Sequence, residues 1–205
     1  MTDPNFRRFD RGLSDFNHGQ VFVASYVWKT PALERLNAFS RQSLGNWEFS
    51  GIFTGESGAP LNLTAGTDQS RTGIGSDRAQ WTGAAPYATT SNCGTTVACK
   101  LWLNRSSFTA PPVGTPGNVG KGQFHGPGFW NWDMGVFKNF PLSERVTLQF
   151  RGELFNVFNH TNFSYDTTGS RSRSPVQANP AASNFGQILG AADPRIIQLA
   201  GKVTF

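Results

Sequence analysis

Five stretches of this chain alternate apolar and polar residues for longer than a water-soluble domain requires. They span about 20–30, 46–56, 129–140, 145–157 and 195–205. A period of two is the mark of a strand with two unlike faces. Each run covers roughly 10–13 residues, against about 5–6 for a strand in a globular protein. A tilted strand of about 9–11 residues is what crosses a bilayer.

The faces can be read by parity. In 129–140, Trp130, Trp132, Met134 and Val136 alternate with Asn131, Asp133, Gly135 and Phe137. In 145–157, Val146, Leu148, Phe150, Gly152 and Leu154 alternate with Thr147, Gln149, Arg151 and Glu153. In 46–56, Trp47, Phe49, Gly51 and Phe53 alternate with Glu48, Ser50, Ile52 and Thr54. The closing stretch sets Ile197, Leu199, Gly201, Val203 and Phe205 against Gln198, Ala200, Lys202 and Thr204, and runs to the last residue. In 20–30 both faces carry apolar groups; Phe22, Ala24, Tyr26 and Trp28 are assigned to the apolar side.

The connections are unequal. A tight PLSE turn joins the third and fourth stretches, and a moderate link, 31–45, joins the first two. Long segments rich in Gly, Pro, Thr, Ser and Asn, 57–128 and 158–194, follow the second and fourth. If the strands run up and down, both long segments lie at one end and both short links at the other. Outer-membrane barrels show this asymmetry, with short periplasmic turns and long extracellular loops. Compact soluble domains rarely carry such long loops without structure of their own. The expectation is an all-β chain, an antiparallel up-and-down set of about five strands forming the last part of a transmembrane β-barrel in the outer membrane of a Gram-negative bacterium. Alternation alone does not say whether the apolar face meets lipid or a second sheet, so a soluble β-sandwich binding or adhesive module is the alternative.

The barrel reading assigns roles. Trp130 and Trp132 stand at the long-loop end, and Tyr26, Trp28 and Phe205 at the short-turn end. Two interfacial girdles of aromatics are expected there. Glu48, Asp133, Arg151, Glu153 and Lys202 fall on the polar face and are expected to line the lumen. Arg151 and Glu153 share a face on one strand, so each is expected to pair with a neighbouring strand. Two readings stand for this set, a structural charge network and a lining that contacts solute.

Composition narrows the classes further. Only 15% of residues are charged and 38% hydrophobic, with 23 Gly and 18 Phe among 205 residues. This is the profile of a loop-rich all-β chain. No run approaches the ~18–20 apolar residues of a spanning helix. The formal net charge of +5 is scattered, without the clustered basic patch or module signature of a nucleic-acid binder. In the segment 59–128, Arg71, Arg78, Lys100, Arg105 and Lys121 outnumber Asp68 and Asp77. At the outer surface that excess has two readings, solvated loop charge and a contact for lipopolysaccharide phosphates or an anionic ligand.

Cys93 and Cys99 sit in CGTTVAC. They form no CxxC and have no His cluster beside them, which argues against zinc. A small disulfide suiting an oxidising compartment and two free thiols are both open. His18, His125 and His160 lack ligand spacing. GTPGNVGKG lacks the ending and the preceding strand of a phosphate loop. Four N-x-S/T triplets, at Asn62, Asn104, Asn159 and Asn162, are read as chance in an Asn- and Thr-rich chain. Nothing arranges Ser, His and Asp as a triad. No enzyme, metal or cofactor is expected.

Taken together, the motifs carry a family likeness. WDMGVFKNFPLSERVTLQFRGELFNVFNHTNF resembles the penultimate hairpin of TonB-dependent receptors, in particular the Oar-like barrels. The pieces that match are Asp133, a corner at Lys138-Asn139-Phe140, and RGELFNVFNHTNF. FGQILGAADPRIIQLAGKVTF resembles the closing strand of that family, with Pro194-Arg195 leading in. DRGLSDFNHGQVFVASYVW and GNWEFSGIFTGESGAPL resemble the hairpin before it. The likeness spans nearly all the strands and touches 59–128 only loosely. It implies an outer-membrane transporter with a large barrel and a plug, energised through a TonB box. No signal peptide, plug or TonB box is legible in these residues, and single-chain bacterial barrels start at about eight strands. The expectation is therefore a C-terminal portion of a longer reading frame or a mis-assigned start, with the TonB complex engaged only through the missing N-terminal part. A further alternative is a barrel closed by homo-oligomerisation. Ile197, Leu199, Val203 and Phe205 resemble the C-terminal signal read by the barrel-assembly machinery. The transported ligand is not legible.

Overall fold

The computed structural model describes residues 7–31, 33, 35, 37–73, 75–89, 100–163 and 176–205. The strands, in chain order, are β1 (Val21–Lys29), β2 (Trp47–Glu56), β3 (Pro60–Leu61), β4 (Gln80–Trp81), β5 (Phe108–Thr109), β6 (Phe124–His125), β7 (Phe129–Pro141), β8 (Thr147–Phe155) and β9 (Ile196–Thr204). One short helix, α1 (Ala38–Leu44), lies in the link between β1 and β2. The five long strands fall within about two residues of the stretches read from alternation.

These five form one sheet in the order β1-β2-β7-β8-β9. The pairings β1–β2, β7–β8 and β8–β9 are antiparallel. Sequence neighbours among the long strands are therefore spatial neighbours, as in an up-and-down wall. The β7–β8 turn closes with the Leu142 and Ser143 N–H groups donating to the Val146 carbonyl, at 2.9 and 3.2 Å. Lys138-Asn139-Phe140, expected as a corner, is instead extended within β7. The chain turns only after Pro141, whose missing N–H is best tolerated at a strand end.

The chain divides into two compact units. The first comprises Val21–Glu56, Trp130–Asn162 and Asp193–Phe205, and holds the five-stranded sheet with α1. Asn37 caps α1, its side chain accepting from the Ser40 N–H at 2.8 Å, and Gly45 ends it. No helix among the described residues is long and apolar enough to cross a membrane.

The second unit comprises Met1–Gln20, Ser57–Phe129 and Phe163–Ala192. Composition predicts loops here, and the structure corrects that expectation. Leu61, Leu63, Ala79, Leu103, Phe108, Val119, Phe124, Val176 and Phe185 pack into a buried core. Phe108 meets Phe124 edge-on at 5.2 Å and Phe185 at 5.7 Å. The regular structure is slight, two pairs of two-residue strands, β3–β6 and β4–β5, plus isolated bridges. Turns with positive φ at Gly117 and Gly186 let backbones approach closely. At Gly117 a Cβ would stand 2.3 Å from the Arg78 carbonyl oxygen, so only glycine fits.

Candidate functional site

The register of the five-stranded sheet assigns every side chain to one of two faces. Antiparallel partners share a face. On one face, Trp28 pairs with Phe49 and Tyr26 with Gly51. The same face carries Met134 opposite Leu154, Val136 opposite Gly152, and Phe140 opposite Leu148. It continues through Leu148 opposite Val203, Gly152 opposite Leu199, and Leu154 opposite Ile197. β2 and β7 join in the same sense. The Asn139 N–H donates to the Asn46 carbonyl at 3.1 Å, and the Phe53 and Trp130 rings stack at 6.3 Å. This face is apolar across all five strands, with one charged side chain, Lys138.

The opposite face holds Glu48, Asp133, Arg151, Glu153 and Lys202. Glu48 pairs with Lys29, Arg151 with Phe137, Glu153 with Gly135, and Lys202 with Gln149. The Gly135–Ser50 approach places Asp133 and Gly135 on the side of Ser50 and Glu48; a Cβ on Gly135 would stand 3.0 Å from the Ser50 hydroxyl. The polar residues thus share one face, and the apolar set the other.

Their partners differ from the expected ones. Arg151 and Glu153 do not reach separate neighbours. Arg151 Nη2 donates to Glu153 Oε1 at 2.9 Å along the same strand. The guanidinium also stacks on the Phe137 ring, 5.0 Å from its centroid. A cross-strand aromatic thus takes the place of a cross-strand carboxylate. Glu48 is bridged by Lys29 at 3.1 Å. Asp133 Oδ1 accepts from the Asn131 side chain at 2.7 Å and from the Asn156 N–H at 2.9 Å. Lys202 has no carboxylate partner among the described residues.

The aromatics gather near both ends of the sheet, with Tyr26 between the two groups. Trp28 stacks on Phe49 at 5.4 Å, and Phe49 on Trp47 at 6.0 Å, near the short-link end. Trp130 stacks on His160 at 4.2 Å and meets Phe158 at 6.0 Å near the other end. Tyr26, expected with Trp28, instead meets Trp132 edge-on at 6.2 Å. The stagger of β1 against β2 puts Tyr26 opposite Gly51, and the missing side chain there lets the phenol cross over to β7.

The FNVFNHTN segment is a hydrogen-bonded knot after β8. Asn156, at φ 53°, accepts from the His160 N–H and donates to the His160 carbonyl, both at 2.9 Å. Asn162 accepts from the Trp130 N–H at 3.0 Å. The Arg195 N–H donates to the Asn159 side chain at 3.0 Å, which ties the entry of β9 to the same knot. Sequence reading picked out this motif by likeness and missed its work. The signal was there: three Asn within 156–162, two of them, Asn156 and Asn159, with the left-handed backbone that residue tolerates.

Ile197, Leu199 and Val203 lie side by side on the apolar face of β9, an edge strand. Phe205 follows the strand and is 96% exposed. Cys93 and Cys99 lie outside the described residues. His18 Nδ1 is 2.9 Å from the Ser57 carbonyl, and no cluster of three His, Cys, Asp or Glu side chains occurs among the described residues.

The soluble sandwich needs a second sheet over the apolar face, and no other sheet among the described residues exceeds two strands of two residues. No curated protein and no solved structure matches the chain. A family model described as an outer membrane beta barrel domain matches residues 1–198. A five-stranded antiparallel wall with one apolar and one charged face is what such a domain builds in the outer membrane, and the chain belongs to the outer membrane beta barrel domain family.

Proposed function

We propose that these residues form the C-terminal part of the barrel of a TonB-dependent, Oar-like outer-membrane receptor. The observation that carries the reading is the division of faces. All five long strands present apolar side chains to one side, and Glu48, Asp133, Arg151, Glu153 and Lys202 to the other. The apolar side meets lipid and the charged side lines the lumen. Five strands do not close a barrel, and β1 and β9 are left as edges. Unpaired backbone groups are costly in lipid, so further strands of a longer reading frame complete the wall.

The lumen charges act as a structural network. Glu48, Asp133, Arg151 and Glu153 are each engaged by a partner on the same sheet. The chain works in ligand passage and not in catalysis. TonB engages the upstream part of the receptor, loop cations such as Arg71 and Lys121 face lipopolysaccharide phosphates, and β9 with Phe205 is read by the barrel-assembly machinery.

Two substitutions test the faces in outer-membrane vesicles, in a background with Cys93 and Cys99 changed to Ser. A water-soluble maleimide should label Lys202→Cys, and a lipid-phase photoprobe should label Leu199→Cys; the reverse pattern overturns the assignment. Residues 1–205 alone should give no heat-modifiable monomer on a gel, and such a species would refute the need for further strands. In the full receptor, collapsing the inner-membrane proton gradient should stop ligand uptake while leaving binding intact. Uptake that persists removes TonB from the account.

A further inference from the structure

Lys138 is the one charged side chain on the apolar face of the five strands, and it is 5% exposed. Its Nζ donates to the Gly45 carbonyl just past α1. It lies over the rings of Trp47 and Phe140, at 5.1 and 5.2 Å from their centroids. Among the described residues no carboxylate neutralises it. Lys138 stands three residues before Pro141, roughly 10 Å along the strand at ~3.3 Å per residue. It therefore sits just inside the short-turn end, which in such barrels faces the periplasm.

A depression of about 900 Å³ opens beside it, between α1 and the apolar face. Phe39 of α1 forms one wall, Trp47 and Phe150 others, and Lys138 lines it as well. The floor is low because Gly152 and Gly201 stand where neighbours carry side chains; a Cβ on Gly201 would meet nothing within 4 Å. The size falls in the range of ~300–1,000 Å³ usual for small-molecule sites. Phe39 is 82% exposed and Leu199 83%, so both offer apolar surface to whatever occupies the groove.

We propose that this groove holds one anionic phospholipid of the periplasmic leaflet, with an acyl chain over Gly152 and Gly201 and its phosphate at Lys138. The inference rests on the reading that the apolar face meets lipid. Apolar walls alone would fit any acyl chain. The desolvated ammonium without a carboxylate selects a headgroup that brings negative charge, because a charge-assisted contact gains strength away from water. The Lys138 ammonium lies over the Trp47 and Phe140 rings near the short-turn end, where long basic side chains are accommodated at membrane boundaries. α1 closes the groove on the periplasmic side.

The test is native mass spectrometry of the full receptor released from nanodiscs of mixed phosphatidylethanolamine and phosphatidylglycerol. Wild type should retain one phosphatidylglycerol. Lys138→Gln should lower its retention about tenfold relative to phosphatidylethanolamine. Gly201→Leu fills the floor without strain and should lower retention of both lipids. Lys202→Gln, on the other face, should change neither. Equal retention of phosphatidylglycerol in wild type, Lys138→Gln and Gly201→Leu overturns the site. A separate arm follows quenching of Trp28 fluorescence, in a variant with the other tryptophans replaced by Phe, by brominated acyl chains. Quenching with equal lipid retention refutes the site alone, and absence of quenching refutes the lipid-facing assignment on which it rests.

Discussion

Asp133 Oδ1 accepts the backbone N–H of Asn156 at 2.9 Å, so a carboxylate near the start of β7 holds the residue that follows β8. The same oxygen takes the Asn131 side chain at 2.7 Å. Asn156 then clasps His160 through both ends of its amide. One carboxylate thus fixes the point at which the wall gives way to its long connection. Asp133→Ala leaves two donors unmatched and should destabilise the folded protein by roughly 1–3 kcal/mol. Asp133→Asn keeps an acceptor and should cost less. Urea unfolding in lipid vesicles checks both.

Tyr26 crosses Gly51 to reach Trp132. A Cβ on Gly51 would stand 2.6 Å from the Tyr26 hydroxyl and 2.7 Å from its ring carbon Cζ. Gly51→Ala should push the phenol aside and break the edge-on contact at a cost of about 1–3 kcal/mol. The expected readout is a lowered urea midpoint with a shifted tryptophan emission. Tyr26→Phe keeps the ring and should leave the emission unchanged.

Asp68 makes one turn of the second unit sensitive to acid. Desolvation pushes its carboxyl up, but hydrogen bonds from the N–H groups of Gly73 and Thr72, the Ser70 hydroxyl and the Arg71 backbone outweigh this and hold it below the ordinary 3.8. Those from Gly73 and Thr72 are 2.8 and 3.1 Å long. A carboxyl lowered in the folded state stabilises the fold above its unfolded value, and that support is lost as pH falls below 3.8 toward the folded value. Amide exchange at Thr72 and Gly73, corrected for intrinsic rates, should speed up across that window. Asp68→Asn should remove the pH dependence.

Phe205 touches nothing that would stabilise the fold, being 96% exposed. Deleting it should leave the stability of the folded protein within about 0.5 kcal/mol, as for a surface change. It should sharply lower the amount assembled in the outer membrane. Normal assembly would show that the terminal aromatic is not read by the assembly machinery.

The wall was legible because strand faces repeat every two residues and tolerate no drift, so Trp130 to Val136 and Leu148 to Leu154 declare themselves. Lys138 was read as part of a corner, and nothing in the sequence said that it would lie on the apolar face and donate a hydrogen bond to the Gly45 carbonyl. The second unit was opaque for the opposite reason. Leu61, Leu103, Phe124, Val176 and Phe185 belong to one core, but they come from turns and isolated bridges far apart in the chain and follow no period. α1 is seven residues, too short to show a helical stripe, and its only announcement was Asn37 ahead of it and Gly45 behind. Arg151 misled because its charged partner was sought on a neighbouring strand; Glu153 on the same strand supplies the carboxylate, and across the strand Phe137 supplies a ring.

The division of faces also sets what change the gene can absorb. One residue inserted at the start of β8 would turn Leu148, Phe150 and Leu154 toward the charged face and Arg151 toward the apolar one, since a single step in register inverts every side chain beyond it. A residue added to 57–128 shifts none of the five long strands by parity, because β7 takes its register from β2 and β8. Length variation in such a lineage should therefore accumulate in the long connections, while the strands evolve by substitution alone.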